Sequence, residues 1–151
     1  MNVVKSIKVD GTRAPKSFGT ECDLLAVDSD GRLLAIEVKP FRTGSIVWVA
    51  AQATMYALLL QKWIDVDHEV APAIVAGMIE QRNAVSPGVP FVADLPANLQ
   101  VTPVVALQRG ASPVQIDRML KVRRALDSAD LGVPPIEIYD VSMTGQLRSI
   151  G

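Results

Sequence analysis

The chain is short of the residues that build thiolate and imidazole metal sites: its 151 residues hold one cysteine, Cys22, and one histidine, His68. A single thiol forms no internal disulfide and excludes a multi-thiolate zinc site or iron–sulfur cluster within the chain. A reducing, cytoplasmic setting fits that usage. His68 lies in the acidic run Asp65-Val66-Asp67-His68-Glu69. It has no second ligand at metal spacing and reads as a solvated connector residue. Charge of one sign is not in excess either, since 15 Lys plus Arg against 16 Asp plus Glu leave a formal charge of -1. Any charged partner must therefore be met by a local patch. The one apolar stretch that invites a membrane reading, 46–60, is interrupted by Gln52 and Thr54. It is shorter than the roughly 20 residues needed to span a bilayer and reads as a buried helix, so no membrane partner is expected. The N-terminus, M-N-V-V-K-S-I-K-V-D, has no continuous apolar segment and no signal-peptide character. There is no internal repeat and no low-complexity segment.

With 49% hydrophobic and 21% charged residues, the composition is that of one globular domain spanning 1–151. Residues 1–10 alternate loosely through Val4, Ile7 and Val9 and predict a first strand; 12–20 read as a loop with a basic bias. Residues 22–28 and 33–39 are two apolar runs joined by Ser29-Asp30-Gly31, whose Asp-Gly pair suits a tight hairpin. Ser45 is an N-cap candidate for a long helix over 46–64. The run A-I-V-A-G-M-I at 73–79 predicts a buried strand. Residues 84–100, with Pro87, Pro90 and Pro96, predict a long ordered loop. A further strand is expected over 101–108, with Pro103 restricting it to an edge or to the strand's beginning. Ser112-Pro113 opens a helix with Ile116, Met119, Leu120, Val122 and Leu126 on one stripe, and 136–141 predicts a last strand. The expected class is α/β, a mixed central sheet flanked by helices.

The hairpin carries three ionisable groups inside its apolar strands. Glu37 and Lys39 are two apart and share a face of their strand, and the turn folds Asp23 back toward them. Two carboxylates and an ammonium group converge at one rim. A few carboxylate oxygens, a backbone carbonyl and waters are what a hard cation such as Mg²⁺ takes. Such an ion lowers the pKa of bound water and neutralises charge on a phosphoryl oxygen, which is chemistry for phosphodiester hydrolysis. The bland alternative is a cross-strand ion pair on a solvated face. Against it stand Ala35, Ile36 and Val38, which mark a strand buried on both faces, where unpaired charge is expensive.

Asp23, thirteen intervening residues and then Glu37-Val38-Lys39, followed by a helix with Gln52 and Tyr56 in a Q-x-x-x-Y spacing, resemble the PD-(D/E)xK nuclease superfamily of restriction-endonuclease-like fold, in its RecB-type branch. The resemblance covers about 19–62, with 73–79 as the expected next strand. It implies Asp23 and Glu37 as ligands of Mg²⁺ or Mn²⁺, the carbonyl of Val38 as a further ligand, Lys39 as the group that activates water, and Gln52 and Tyr56 as auxiliary catalytic residues. It implies DNA as the partner and a deoxyribonuclease activity, with a homodimer or larger nuclease assembly as an option. The family's first helix is not apparent before Glu21; Glu21 and Asp10 are the acids available to replace the carboxylate it often brings. Two basic patches are candidates for phosphate contact: Arg118, Lys121 and Arg124 on the late helix, and Lys5, Lys8, Arg13 and Lys16 near the N-terminus, with Arg42 beside the hairpin. A catalytically inactive nuclease-fold module that binds nucleic acid or a protein partner is the alternative reading.

Overall fold

The Asp-Gly turn forms the expected hairpin. Strand β1 (Leu24–Val27) pairs antiparallel with β2 (Leu33–Lys39), from Leu24↔Ile36 to Val27↔Leu33. The computed structural model describes residues 2–9, 11–40, 46–86, 88–108 and 111–151, without the side chains of Asn2 and Val3. In the turn, the Asp28 Oδ1 accepts from the backbone N–H groups of Asp30 and Arg32 at 3.0 and 2.9 Å. Gly31 has φ +78°, and a Cβ there would lie 2.1 Å from the Asp94 carbonyl oxygen. Only glycine satisfies both demands.

The rest of the sheet grows from β2. Strand β3 (Val101–Gln108) pairs parallel with β2, β4 (Glu137–Val141) pairs parallel with β3, and β5 (Leu147–Ser149) closes antiparallel on β4. The order β1-β2-β3-β4-β5 makes a mixed five-stranded sheet. Parallel neighbours need helical crossovers. Helices α2 (Val49–Val66) and α3 (Ala71–Val85) link β2 to β3, and α4 (Pro113–Asp127) links β3 to β4.

All three helices pack on one face of the sheet. Leu33, Ala35, Glu37 and Lys39 share that face with their register partners Val101, Pro103, Val105 and Leu107. Residues 49–51 and Ala53 of α2 join Met119, Val122 and Leu126 of α4 over Val105, Leu107 and Ile138. Tyr56, Ala57 and Ile64 of α2 join Ala71 and Val75 of α3 over Leu33, Ala35 and Val101. Each large side chain so buried contributes about 1.5–3 kcal/mol. Across the opposite face an ionic clasp joins the start of β2 to the start of β4: Arg32 Nη1 donates to Glu137 Oε1 at 2.6 Å and Arg32 Nε to Asp28 Oδ2 at 2.7 Å. The Tyr139 hydroxyl completes it by donating to Glu137 Oε2 at 2.7 Å.

Several expectations need correction. Among the described residues of 1–10 no strand forms: Asn2–Ser6 is a short helix, α1, and the three-residue spacing of Val4 and Ile7 suits a helical turn as well as a strand. Only an isolated bridge, Val9↔Thr12, keeps β character. The run 73–79 is the middle of α3, opened by Pro72 in its first turn. A short run of Ala, Ile, Val, Gly and Met fits a buried strand or a helix equally well, and of α3 only Ala71 and Val75 are buried. The strand that follows the hairpin next to β2 is therefore β3. Pro103 sits in the central strand, not at an edge; the ladder with β4 begins at Val104, just past it, so its missing N–H falls near the strand's beginning. The N-cap expected at Ser45 lies outside the described residues, and α2 begins at Val49. At α4 the expected cap holds, with Ser112 Oγ accepting from the Gln115 N–H at 3.3 Å. The short strand β5 went unpredicted.

Candidate active site

The hairpin register carries Asp23 to the position across from Glu37, one residue beyond the last ladder pair, Leu24↔Ile36. There the Asp23 Oδ2 accepts from the Val38 N–H at 2.8 Å, which fixes the carboxylate against the end of β2. In a strand the N–H and C=O of one residue leave the same edge, so the Val38 carbonyl also faces the Asp23 side. Glu37 is 1% exposed, on the helix-covered face. Its Oε1 accepts from Lys39 Nζ at 2.5 Å, whereas its Oε2 is buried with no hydrogen-bond partner among the described residues.

From α2, Gln52 reaches in above the sheet. Its Oε1 lies 3.5 Å from Lys39 Nζ, and its Nε2 donates to the Tyr56 hydroxyl at 3.4 Å. Spacing of four puts Gln52 and Tyr56 on one face of α2, and the buried Tyr56 ring holds the hydroxyl in place. The residues named from sequence, Asp23, Glu37, Lys39, Gln52 and Tyr56, are thus one connected cluster. Burial pushes the Glu37 carboxyl above its ordinary range; the Lys39 ammonium opposes the shift and the facing Asp23 carboxylate adds to it. Cys22, half-buried, donates weakly to the carbonyls of Leu24 and Ile36, and burial raises its thiol.

A buried carboxylate oxygen without a partner costs on the order of 1–3 kcal/mol or more, which is why such groups mark ions or function. The Asp23 carboxylate lies close enough to Glu37 to disfavour its ionisation, and a cation or a proton between the two relieves that repulsion. Among the described residues no group of three or more His, Cys, Asp or Glu side chains comes together as a metal site. A cation here would rest on Asp23, Glu37, the Val38 carbonyl and water. All are oxygen donors, which fits Mg²⁺ or Mn²⁺ and disfavours soft metals.

The proposed phosphate contacts divide differently from their order in the sequence. Lys121 is ion-paired with Asp117 at 3.1 Å on the exposed side of α4, and Arg124 is exposed on the last turn. Arg118 instead turns to the N-terminal segment, its guanidinium lying over Gly11, where a Cβ would come within 2.9 Å of Nη2. Lys5, Lys8, Arg13 and Lys16 are exposed; Arg42 and Asp10 lie outside the described residues, and Glu21 is exposed next to the site. One position beside the cluster escaped sequence reasoning. Gly19 packs against the site so closely that a Cβ would meet the Tyr56 hydroxyl at 3.2 Å and Gln52 Nε2 at 3.6 Å. A glycine in the loop before Asp23 was the available signal. Among the described residues no helix is long and apolar enough to cross a membrane. No protein-family model matches the chain, and comparisons with curated proteins and with solved structures also give no match.

Proposed function

We propose that the chain is a metal-dependent nuclease of the PD-(D/E)xK type, with a restriction-endonuclease-like core, that hydrolyses DNA phosphodiester bonds. The observation that carries this reading is the buried, unpartnered Glu37 Oε2 facing Asp23 at the rim where Lys39 also ends. Asp23, Glu37 and the Val38 carbonyl would hold Mg²⁺ or Mn²⁺, which when bound acidifies water and neutralises charge developing on the phosphoryl group.

The protein's own groups supply position. Lys39 Nζ, a donor only, aligns the attacking water or a non-bridging phosphoryl oxygen. The water oxygen forms its bond to phosphorus as the phosphorus–oxygen bond to the leaving strand breaks; the water gives its proton to solvent and the leaving oxygen takes one from solvent. Gln52 limits where Lys39 can point, and Tyr56 limits Gln52, so neither needs to touch the substrate. Asp23, anchored by the Val38 N–H, keeps its place relative to Glu37 throughout. Labelled linear, single-stranded and branched DNA incubated with Mn²⁺ tests the proposal: the parent should cut at least one of them, and Lys39→Ala should not. Equal cutting by Lys39→Ala, or no cutting by the parent with Mg²⁺ or Mn²⁺, would reject it.

A further inference from the structure

The segment from Thr12 to Gly19 is pinned at both ends beside the site. At its start, Thr12 Oγ1 accepts from Trp48 Nε1 at 3.1 Å. At its end, Gly19 lies against Tyr56 and Gln52. Trp48 at the N-cap of α2 and Gln52 and Tyr56 in its first half succeed one another at spacings of four, so the segment runs along the side of the helix that carries the auxiliary residues. Ala14 and Phe18 pack half-buried against the core, whereas Arg13 and Lys16 are exposed. Neither cation is in an ion pair among the described residues. Arg118 joins the same side through its contact with Gly11, immediately before Thr12.

Two cations on a pinned strap and a third, Arg118 of α4, against the residue just before it are thus brought to one side, in a chain whose net charge is -1. A protein without global positive charge that must hold a polyanion needs such a local concentration. We propose that Arg13, Lys16 and Arg118 grip backbone phosphates flanking the scissile one, so that substrate is selected as a polynucleotide. The proposal rests on the hydrolytic reading of the adjacent site, but its test is independent of cleavage. Contacts to phosphates carry no sequence information, so the proposed grip is sensitive to salt.

The test is binding of a fluorescent DNA duplex without added metal, over about 50 to about 200 mM salt. The parent is compared with Arg13→Gln/Lys16→Gln and with Lys62→Gln/Arg148→Gln, a control of equal charge whose cations lie elsewhere on α2 and on β5. Each phosphate contact contributes about 0.9 to the slope of log affinity against log salt. The strap variant should bind at least about tenfold more weakly at the lowest salt, with the slope shallower by about two, and the control should stay near the parent. The melting-temperature rise in Mn²⁺ reports the Asp23–Glu37 site separately and should persist in the strap variant. Unchanged affinity and slope, an equal loss in the control, or no binding by the parent would overturn the strap. Failure of the parent to cut DNA, with the binding pattern intact, would reject only the hydrolytic reading.

Discussion

Asp23 and Glu37 face each other across the open end of the β1–β2 hairpin, with the Asp23 carboxylate tied to the Val38 N–H at 2.8 Å and Glu37 1% exposed. Burial disfavours ionisation of Glu37, and the facing Asp23 carboxylate adds to the effect. The arrangement costs stability that a cation would restore.

The cost has a sign in pH. A carboxyl whose pKa is raised on folding opposes folding once ionised. Its contribution is absent below the ordinary Glu value and grows unfavourable as pH rises through that value to the raised one. Metal-free stability of the parent relative to Glu37→Gln should therefore fall as pH rises through this window. Paired urea titrations across acid to neutral pH check it; a difference independent of pH would contradict it.

The clasp on the other face has the opposite sign. Asp28 and Glu137 are both held below the ordinary carboxylate range, chiefly by hydrogen bonds: from the Arg32 backbone and guanidinium to Asp28, and from Tyr139 and Arg32 to Glu137; burial opposes both shifts. Their contribution is full above the ordinary carboxylate value and is lost as pH falls through the lowered ones. Arg32→Met should cost up to about 1 kcal/mol at neutral pH, as partly exposed pairs do. The difference from the parent should shrink in acid, as read from denaturant midpoints.

Gly31 and Gly145 share φ +78°, yet a Cβ at Gly31 would strike the Asp94 carbonyl at 2.1 Å whereas at Gly145 nothing lies within 4 Å. Gly145→Ala should cost about 1–2 kcal/mol, the strain of the left-handed conformation alone. Gly31→Ala should cost clearly more, because backbone must also move. Equal losses in chemical denaturation would show that the Asp94 contact gives way freely.

Much of this site was legible in the sequence, for identifiable reasons. The Asp30-Gly31 turn fixes the hairpin register, and register alone brings Asp23 opposite Glu37. The four-residue spacing of Gln52 and Tyr56 survives any small error in where α2 begins. The run 73–79 was misread because its composition satisfies both a strand and a helix, and the decision fell to the long crossover from β2 to β3. The regrouping of Arg118 with Arg13 and Lys16 depends on the docking of the N-terminal segment against α2 and α4, which no local pattern encodes. The Thr12–Trp48 bond and the clasp from Arg32 to Glu137 are likewise products of tertiary assembly.

In the proposed mechanism Gln52 acts through Lys39, 3.5 Å away, so its loss should leave the proposed cation site intact while loosening the group beside it. Gln52→Ala should lower DNA cleavage about 10- to 100-fold, the usual cost of removing an outer supporting contact. The Mn²⁺ stabilisation of the protein should be unchanged. If cleavage and Mn²⁺ stabilisation fell together, Gln52 would belong to the metal site itself.

The central claim, that Asp23 and Glu37 together hold a hard cation, is tested most directly by calorimetric titration of Mn²⁺ into the parent and into Glu37→Gln at neutral pH. The parent should bind Mn²⁺, and the Glu37→Gln protein should lose that binding. Equal binding by the two proteins, or none by the parent, would contradict the account.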